Sequence, residues 1–167
     1  METYEEKAKK WQQIRDKNID LNIISNGCVR LYHKESIMDY DIELLKDKNY
    51  EIIEFEGDFL SNKAELHYDL QHKLNFPDYY GKNFDALNDC LRDYEVSDEG
   101  TLIVFRHLNH LDKWSITMLL DVFAEQGRQK FAHGKKLLLL VQINDRNFKI
   151  TEPIGAINLY LLNDKER

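Results

Sequence analysis

The stretch FPDYYGKNFDALNDCL, residues 76–91, places Asp85 and Asp89 four residues apart, and Asp93 follows after the same interval. On a helix this spacing aligns all three carboxylates in one row, while Ala86, Leu87, Cys90, Leu91 and Tyr94 turn to the other side for burial. A row of carboxylates can hold a hard cation, serve acid–base chemistry or receive a basic partner. One i,i+4 pair offers fewer oxygens than Mg²⁺ or Ca²⁺ requires. Helix stability does not call for the row either. Asp85 suits the positive N-terminal end, but Asp89 and Asp93 gain little there and neighbouring pairs repel by roughly 0.3 kcal/mol. The bland alternative is a solvated helix face.

The surroundings favour a basic partner. Between Asp78 and Glu99 seven acidic residues face only Lys82 and Arg92, a local balance of -5 within a chain of net charge -7. Tyr79, Tyr80 and Phe84 bracket this field with rigid aromatic surface of the kind that anchors interfaces, one tyrosine being expected buried and the other exposed. Gly81 is expected to give the loop a positive-φ residue. Fixed carboxylates can imitate the phosphates of a polynucleotide to a protein with a cationic cleft, provided that the cleft's cations offset their desolvation.

Other candidates carry less chemistry. His107 and His110 lie three apart and His67 and His72 five apart, with no neighbouring Cys or carboxylate pattern of a zinc site, so no ligand role is assigned to them and no metal or cofactor is expected. Gly127, Gly134 and Lys135 do not match a phosphate loop, since six residues separate the glycines and no strand precedes them. Cys90 reads as a packed small hydrophobe. Two cysteines, Cys28 and Cys90, make no disulfide framework and suggest a reduced cytoplasmic protein. The N-terminus is charged where a signal peptide would be apolar, and no membrane span is visible. With 30 acidic against 23 basic residues, direct nucleic-acid binding is not expected.

The elements that must position the row follow from periodicity. Tyr4, Ala8, Trp11 and Ile14 form one stripe of an N-terminal helix. IDLNIISNGCVRLYH alternates on both sides of Asn26-Gly27, which predicts a β-hairpin over 19–33. YDIELLKD reads as a short helix, YEIIEFEGDF as a core strand, and Asn62 caps a helix that ends near Leu74 before Pro77. Asn83 starts the helix bearing the aspartates. TLIVF and KLLLLV read as strands covered on both faces, separated by the helix SITMLLDVFAEQGRQKF. The order predicts an α/β fold with a parallel sheet. Ile157–Leu162 is expected to add an edge strand.

FPDYYGKNFDALNDCLRDYE resembles the signature of the barstar family, intracellular inhibitors of barnase-type ribonucleases, and the resemblance extends over roughly residues 49–143. It implies a three-stranded parallel sheet packed with helices, an N-terminal extension over 1–48 and a tail over 144–167. It also implies a non-enzymatic inhibitor of a ribonuclease whose contact surface would use Tyr79, Asn83, Phe84, Asp85, Ala86, Asn88 and Asp89. Glu125 would join them from the last helix, and Asp89 would enter the nuclease's phosphate pocket. Asn88, Arg92 and Lys82 stand where the barnase inhibitor has Trp, Thr and Glu. A barstar-like immunity or interaction module for another basic protein or toxin is the alternative.

Overall fold

Leu137–Gln142, sequence LLLLVQ, is buried along its whole length, so both faces of this strand need cover. The computed structural model describes residues 1–155 and supplies that cover from two helical layers. In chain order the elements are α1 (Tyr4–Lys17), α2 (Ile19–Ser25), β1 (Val29–Tyr32), α3 (Glu35–Asp47), β2 (Glu51–Glu56), a 3₁₀ turn (Gly57–Phe59), α4 (Lys63–Lys73), α5 (Phe84–Asp93), β3 (Thr101–Arg106), α6 (Lys113–Ala132) and β4 (Leu137–Gln142). The sheet has four strands in the order β1-β4-β3-β2, every pair parallel, with Leu139 between Val29 and Ile103.

Alternating side chains divide the sheet's interior into two cores. One face presents Leu31, Phe55, Ile103, Phe105, Leu139 and Val141 to the cluster that includes Leu66 and Leu70 of α4, Leu87 and Leu91 of α5, and Leu119 and Phe123 of α6. Phe55 and Phe105 stack across β2 and β3 with ring centroids 4.5 Å apart. The other face presents Tyr32, Leu102, Val104, Leu138 and Leu140 to Ile19 and Ile23 of α2 and to Met38, Ile42 and Leu45 of α3. The first 48 residues therefore supply both an edge strand and the second helical layer. Within that layer Tyr32 Oη donates to Asp41 Oδ2 at 2.6 Å and Arg30 Nη1 donates to the same oxygen at 3.3 Å, so a buried charge is met by buried donors.

The expected hairpin over 19–33 is not formed. Ile19–Ser25 is helical, and its buried apolar residues Ile19 and Ile23 stand four apart, a helical spacing. Asn26-Gly27 ends that helix rather than turning a hairpin: Gly27 has φ 94° and Cys28 φ 66°, left-handed conformations that occur at helix C-termini as well as in hairpin turns. Only Val29–Tyr32 becomes a strand, and it pairs in parallel with β4. The sheet accordingly has four strands where three were expected. In α1 no residue is buried, and Tyr4, Trp11 and Ile14 of the predicted stripe stand exposed. The expected edge strand over Ile157–Leu162 lies outside the described residues. Among the described residues no helix is long and apolar enough to cross a membrane.

Candidate functional site

α5 begins where Asn83 accepts a hydrogen bond from the Ala86 N–H at 2.8 Å, while its amide nitrogen donates to the Gly81 carbonyl at 3.2 Å. At the other end of the helix, Lys130 of α6 donates to the carbonyls of Arg92 and Tyr94, each at 2.7 Å, and satisfies acceptors that the last turn leaves free. Both termini are thus fixed. Leu87 and Leu91 anchor the inner face, and Asp85, Asp89 and Asp93 line the exposed one.

The loop before α5 is held from below. His67 of α4 is buried, its Nδ1 lies 2.6 Å from Tyr80 Oη, and its ring packs 5.0 Å from that of Phe84. Burial, and next the charge of Lys63, pulls the His67 imidazolium down to about 4, so the ring is neutral at pH 7 and Nδ1 can accept a hydrogen bond from the Tyr80 hydroxyl. Tyr80 also packs 5.1 Å from Phe76, and its N–H closes a turn onto the Pro77 carbonyl at 2.9 Å. With Tyr80 locked inward, the adjacent Tyr79 is thrown outward and is 87% exposed. One tyrosine buried and one exposed is the division expected from the sequence. The positive φ of the loop falls on Lys82, at 53°, and not on Gly81; a Cβ at Gly81 would come within 3.2 Å of the Ala86 Cβ, so the glycine serves close approach.

The eight sequence-derived contact residues fall into different environments. Tyr79, Asn83, Asp85 and Asp89 are exposed. Asn83 has its amide occupied in capping. Phe84 is buried between His67 and Trp114, which makes it a support for the surface. Ala86 and Asn88 are half-buried, and Asn88 Oδ1 accepts a hydrogen bond from Gln126 Nε2 of α6 at 2.8 Å. Glu125, also half-buried, neighbours that contact and accepts from Gln129 Nε2 at 3.2 Å. Asp89 pairs with Arg92 at 2.5 Å with both side chains more than half exposed. Such a solvated i,i+3 pair contributes about 0–1 kcal/mol and exchanges readily for a better cation. Among the described residues no ion pair involves Asp85 or Asp93.

Two residues that sequence reasoning passed over complete the surroundings. His67 sits beneath the loop, and Trp114, just inside the N-terminus of α6, packs edge-on against Phe84 at 5.5 Å with Lys63 Nζ 4.9 Å from its ring. Trp114 is half exposed and, with Lys63, Lys82 and Asp85, lines a groove of about 280 Å³. Its signal was an aromatic residue off the buried face of Ile116, Leu119 and Phe123. Burial, followed by the charges of Asp93 and Asp89, pushes the Cys90 thiol up, away from thiolate reactivity.

Comparison with known proteins adds the decisive observation: residues 50–142 match the family described as barstar (barnase inhibitor). This chain belongs to the barstar family. The matched region runs from the start of β2 to the end of β4 and contains the whole acidic surface. A Bacillus subtilis (strain 168) protein, provisionally named ribonuclease inhibitor YrdF, is 58% identical over 36 residues, which is 22% of this chain and 40% of that protein. The match thus spans less than half of that relative's length. Among solved structures, a chain in the structure of Drosophila ORC bound to AT-rich DNA and Cdc6 gives a TM-score of 0.55 at 13% identity, covering 94% of this chain and 55% of that one. Cdc6p from Pyrobaculum aerophilum gives 0.53 at 18% identity, covering 81% and 39%. At such identities the likeness is one of fold alone.

Proposed function

We propose that this barstar-family protein is a stoichiometric inhibitor of a ribonuclease, and that α5 with the loop over 76–83 plugs the nuclease's cationic active site. The observation that carries this reading is a solvent-facing carboxylate row on a helix fixed at both ends, beside a tyrosine that its own scaffold holds outward. Preset geometry lowers the ordering cost of association. Asp89 leaves Arg92 for the nuclease's phosphate-binding cations, Asp85 meets a neighbouring cation, and Tyr79 packs on the rim of the site. Phe84, Asn83 and Asn88 act mainly by holding the surface in shape. The reduced cytoplasm of the producing cell is the compartment that fits two free cysteines and this role.

The test is titration of barnase-type ribonucleases, and of any small basic protein encoded beside this gene, with the purified chain. Activity should fall linearly to zero at one equivalent, and association should slow as salt rises. Inhibition needing large excess, or indifferent to salt, would count against the plug. A second reading rests on Lys82 and Arg92, which make the rim less acidic: the same surface is then read by a basic protein that is not a nuclease. Recovery of such a protein, and of no nuclease, by affinity capture on this chain favours that alternative.

A further inference from the structure

The C-terminal edge of the sheet gathers side chains that the sequence holds far apart. Glu56 closes β2, Asp58 lies in the 3₁₀ turn that follows, and His107 follows the last residue of β3, whose Arg106 is in register with Glu56. Gly57 makes the meeting possible. A Cβ there would stand 2.6 Å from the carbonyl oxygens of both Arg106 and His107, so only glycine lets the turn close down on the neighbouring chain.

We infer that this edge is a binding site for a zinc-class divalent cation, with His107 Nδ1, Glu56 and Asp58 as ligands. The inference is independent of ribonuclease inhibition. Glu56 Oε1 lies 2.9 Å and Asp58 Oδ2 3.9 Å from His107 Nδ1, and all the candidate ligand atoms fall within 4.8 Å of one another. Ligand atoms at zinc distances in a tetrahedral shell are about 3.3 Å apart, so metal entry draws the exposed Asp58 inward and replaces the proton of the Glu56–His107 hydrogen bond, opening that pair slightly. His110 stays outside this set: its Nε2 lies 3.6 Å from Asp58 Oδ1, the oxygen turned away from His107, so water would supply the remaining position.

Two features separate this group from an ordinary acidic cluster. First, Glu35 Oε2 takes the other ring nitrogen of His107, Nε2, at 3.2 Å, the carboxylate–histidine–metal relay that fixes a ligating imidazole. The His107 backbone N–H is tied to Gln142 Oε1 at 2.9 Å, which further sets the ring's direction. Second, Arg106 is already engaged by Glu35, Asp39 and Glu54, so it does not serve Glu56 or Asp58. Five carboxylates, Glu35, Asp39, Glu54, Glu56 and Asp58, gather here around one guanidinium and the His107 ring, a setting in which a dication offsets acidic charge. Imidazole nitrogen in the set favours Zn²⁺, Co²⁺ or Ni²⁺ over Mg²⁺ and Ca²⁺. The histidines show no metal pattern in sequence because their partners come from about fifty residues upstream on another strand.

The full, untagged chain, stripped with chelator, should bind one equivalent of ZnCl₂ in calorimetry, and CoCl₂ should give the visible absorption of a four-coordinate site. Asp58→Asn, an exposed change that leaves the fold intact, should weaken Zn²⁺ binding at least tenfold, as should His107→Gln; Glu35→Gln should weaken it by roughly ten to a hundredfold. Cys90→Ser should leave it unchanged. Absence of one-to-one binding at micromolar metal, or affinity that survives Asp58→Asn but falls with Cys90→Ser, would overturn the inference.

Discussion

The carboxylates of this protein fall into two populations. Asp41 is wholly buried against Arg30 and Tyr32, and Glu35, Asp39 and Glu54 converge on Arg106; these acids are met by the chain's own cations. Along α5 the aspartates face solvent, and the only ion pair among them in the described residues is the exposed Asp89–Arg92 contact. The difference lies in what each region must satisfy. Asp41 and the mostly buried guanidinium of Arg106 would each be costly without an internal partner, whereas a charge kept in water costs little until a partner removes that water. The first population holds the sheet to its helices; the second is available for use.

Substitutions should therefore separate stability from binding. Asp41→Ala leaves Arg30 buried without its anion, and chemical denaturation should show a loss of about 3–5 kcal/mol. Retained stability would show that water reaches Arg30. The support beneath the acidic surface should respond to acid. The folded state holds His67 near 4, below its ordinary value of about 6.5, so the unfolded chain binds the proton first and stability falls as pH drops from 6.5 towards 4. That difference sets a ceiling of about 3 kcal/mol, to be read from urea midpoints of the wild type against His67→Phe, which should lose this component of the pH dependence.

On the open surface the effects should appear in association. Asp89→Ala should weaken inhibition of a target nuclease by at least about 2 kcal/mol, the threshold of an interface hot spot, a magnitude carried over from studied complexes that include barnase with barstar. Asp98→Ala, on the turn beyond α5, should have no such effect. Equal losses would misplace the site. The smallest change is expected from Arg92→Ala: removing a solvated pair should alter stability by less than about 1 kcal/mol, and it tests whether releasing Asp89 speeds association.

Much of this division was legible in the sequence. The i,i+4 aspartates, the Asn83 cap and the apolar face of Leu87 and Leu91 specified α5, and the continuous apolar run of β4 correctly required cover on both faces. The segment over 19–33 misled because Ile19, Leu21 and Ile23 alternate while Ile19 and Ile23 also satisfy a helical repeat, and Asn-Gly suits either ending. The strand at Val29–Tyr32 was expected as an arm of the predicted hairpin, but its place in the parallel sheet was hidden because its register with β4 joins residues more than a hundred positions apart. Similarly, the site's row of acids could be read locally, but the inward turn of Asn88 to Gln126, the burial of Phe84 and the His67–Tyr80 contact depend on α4 and α6 meeting α5. Spacing within one element reports which face is free; it does not report what another element brings to that face.

The central claim, that the free carboxylate population is the working surface, is tested most directly by hydrogen exchange on the complex with a nuclease that the chain inhibits. The account predicts new amide protection over 76–93, with the edge at 51–58 and 106–110 unchanged. Protection confined to that edge or to α1, with residues 76–93 exchanging as in the free protein, would contradict it.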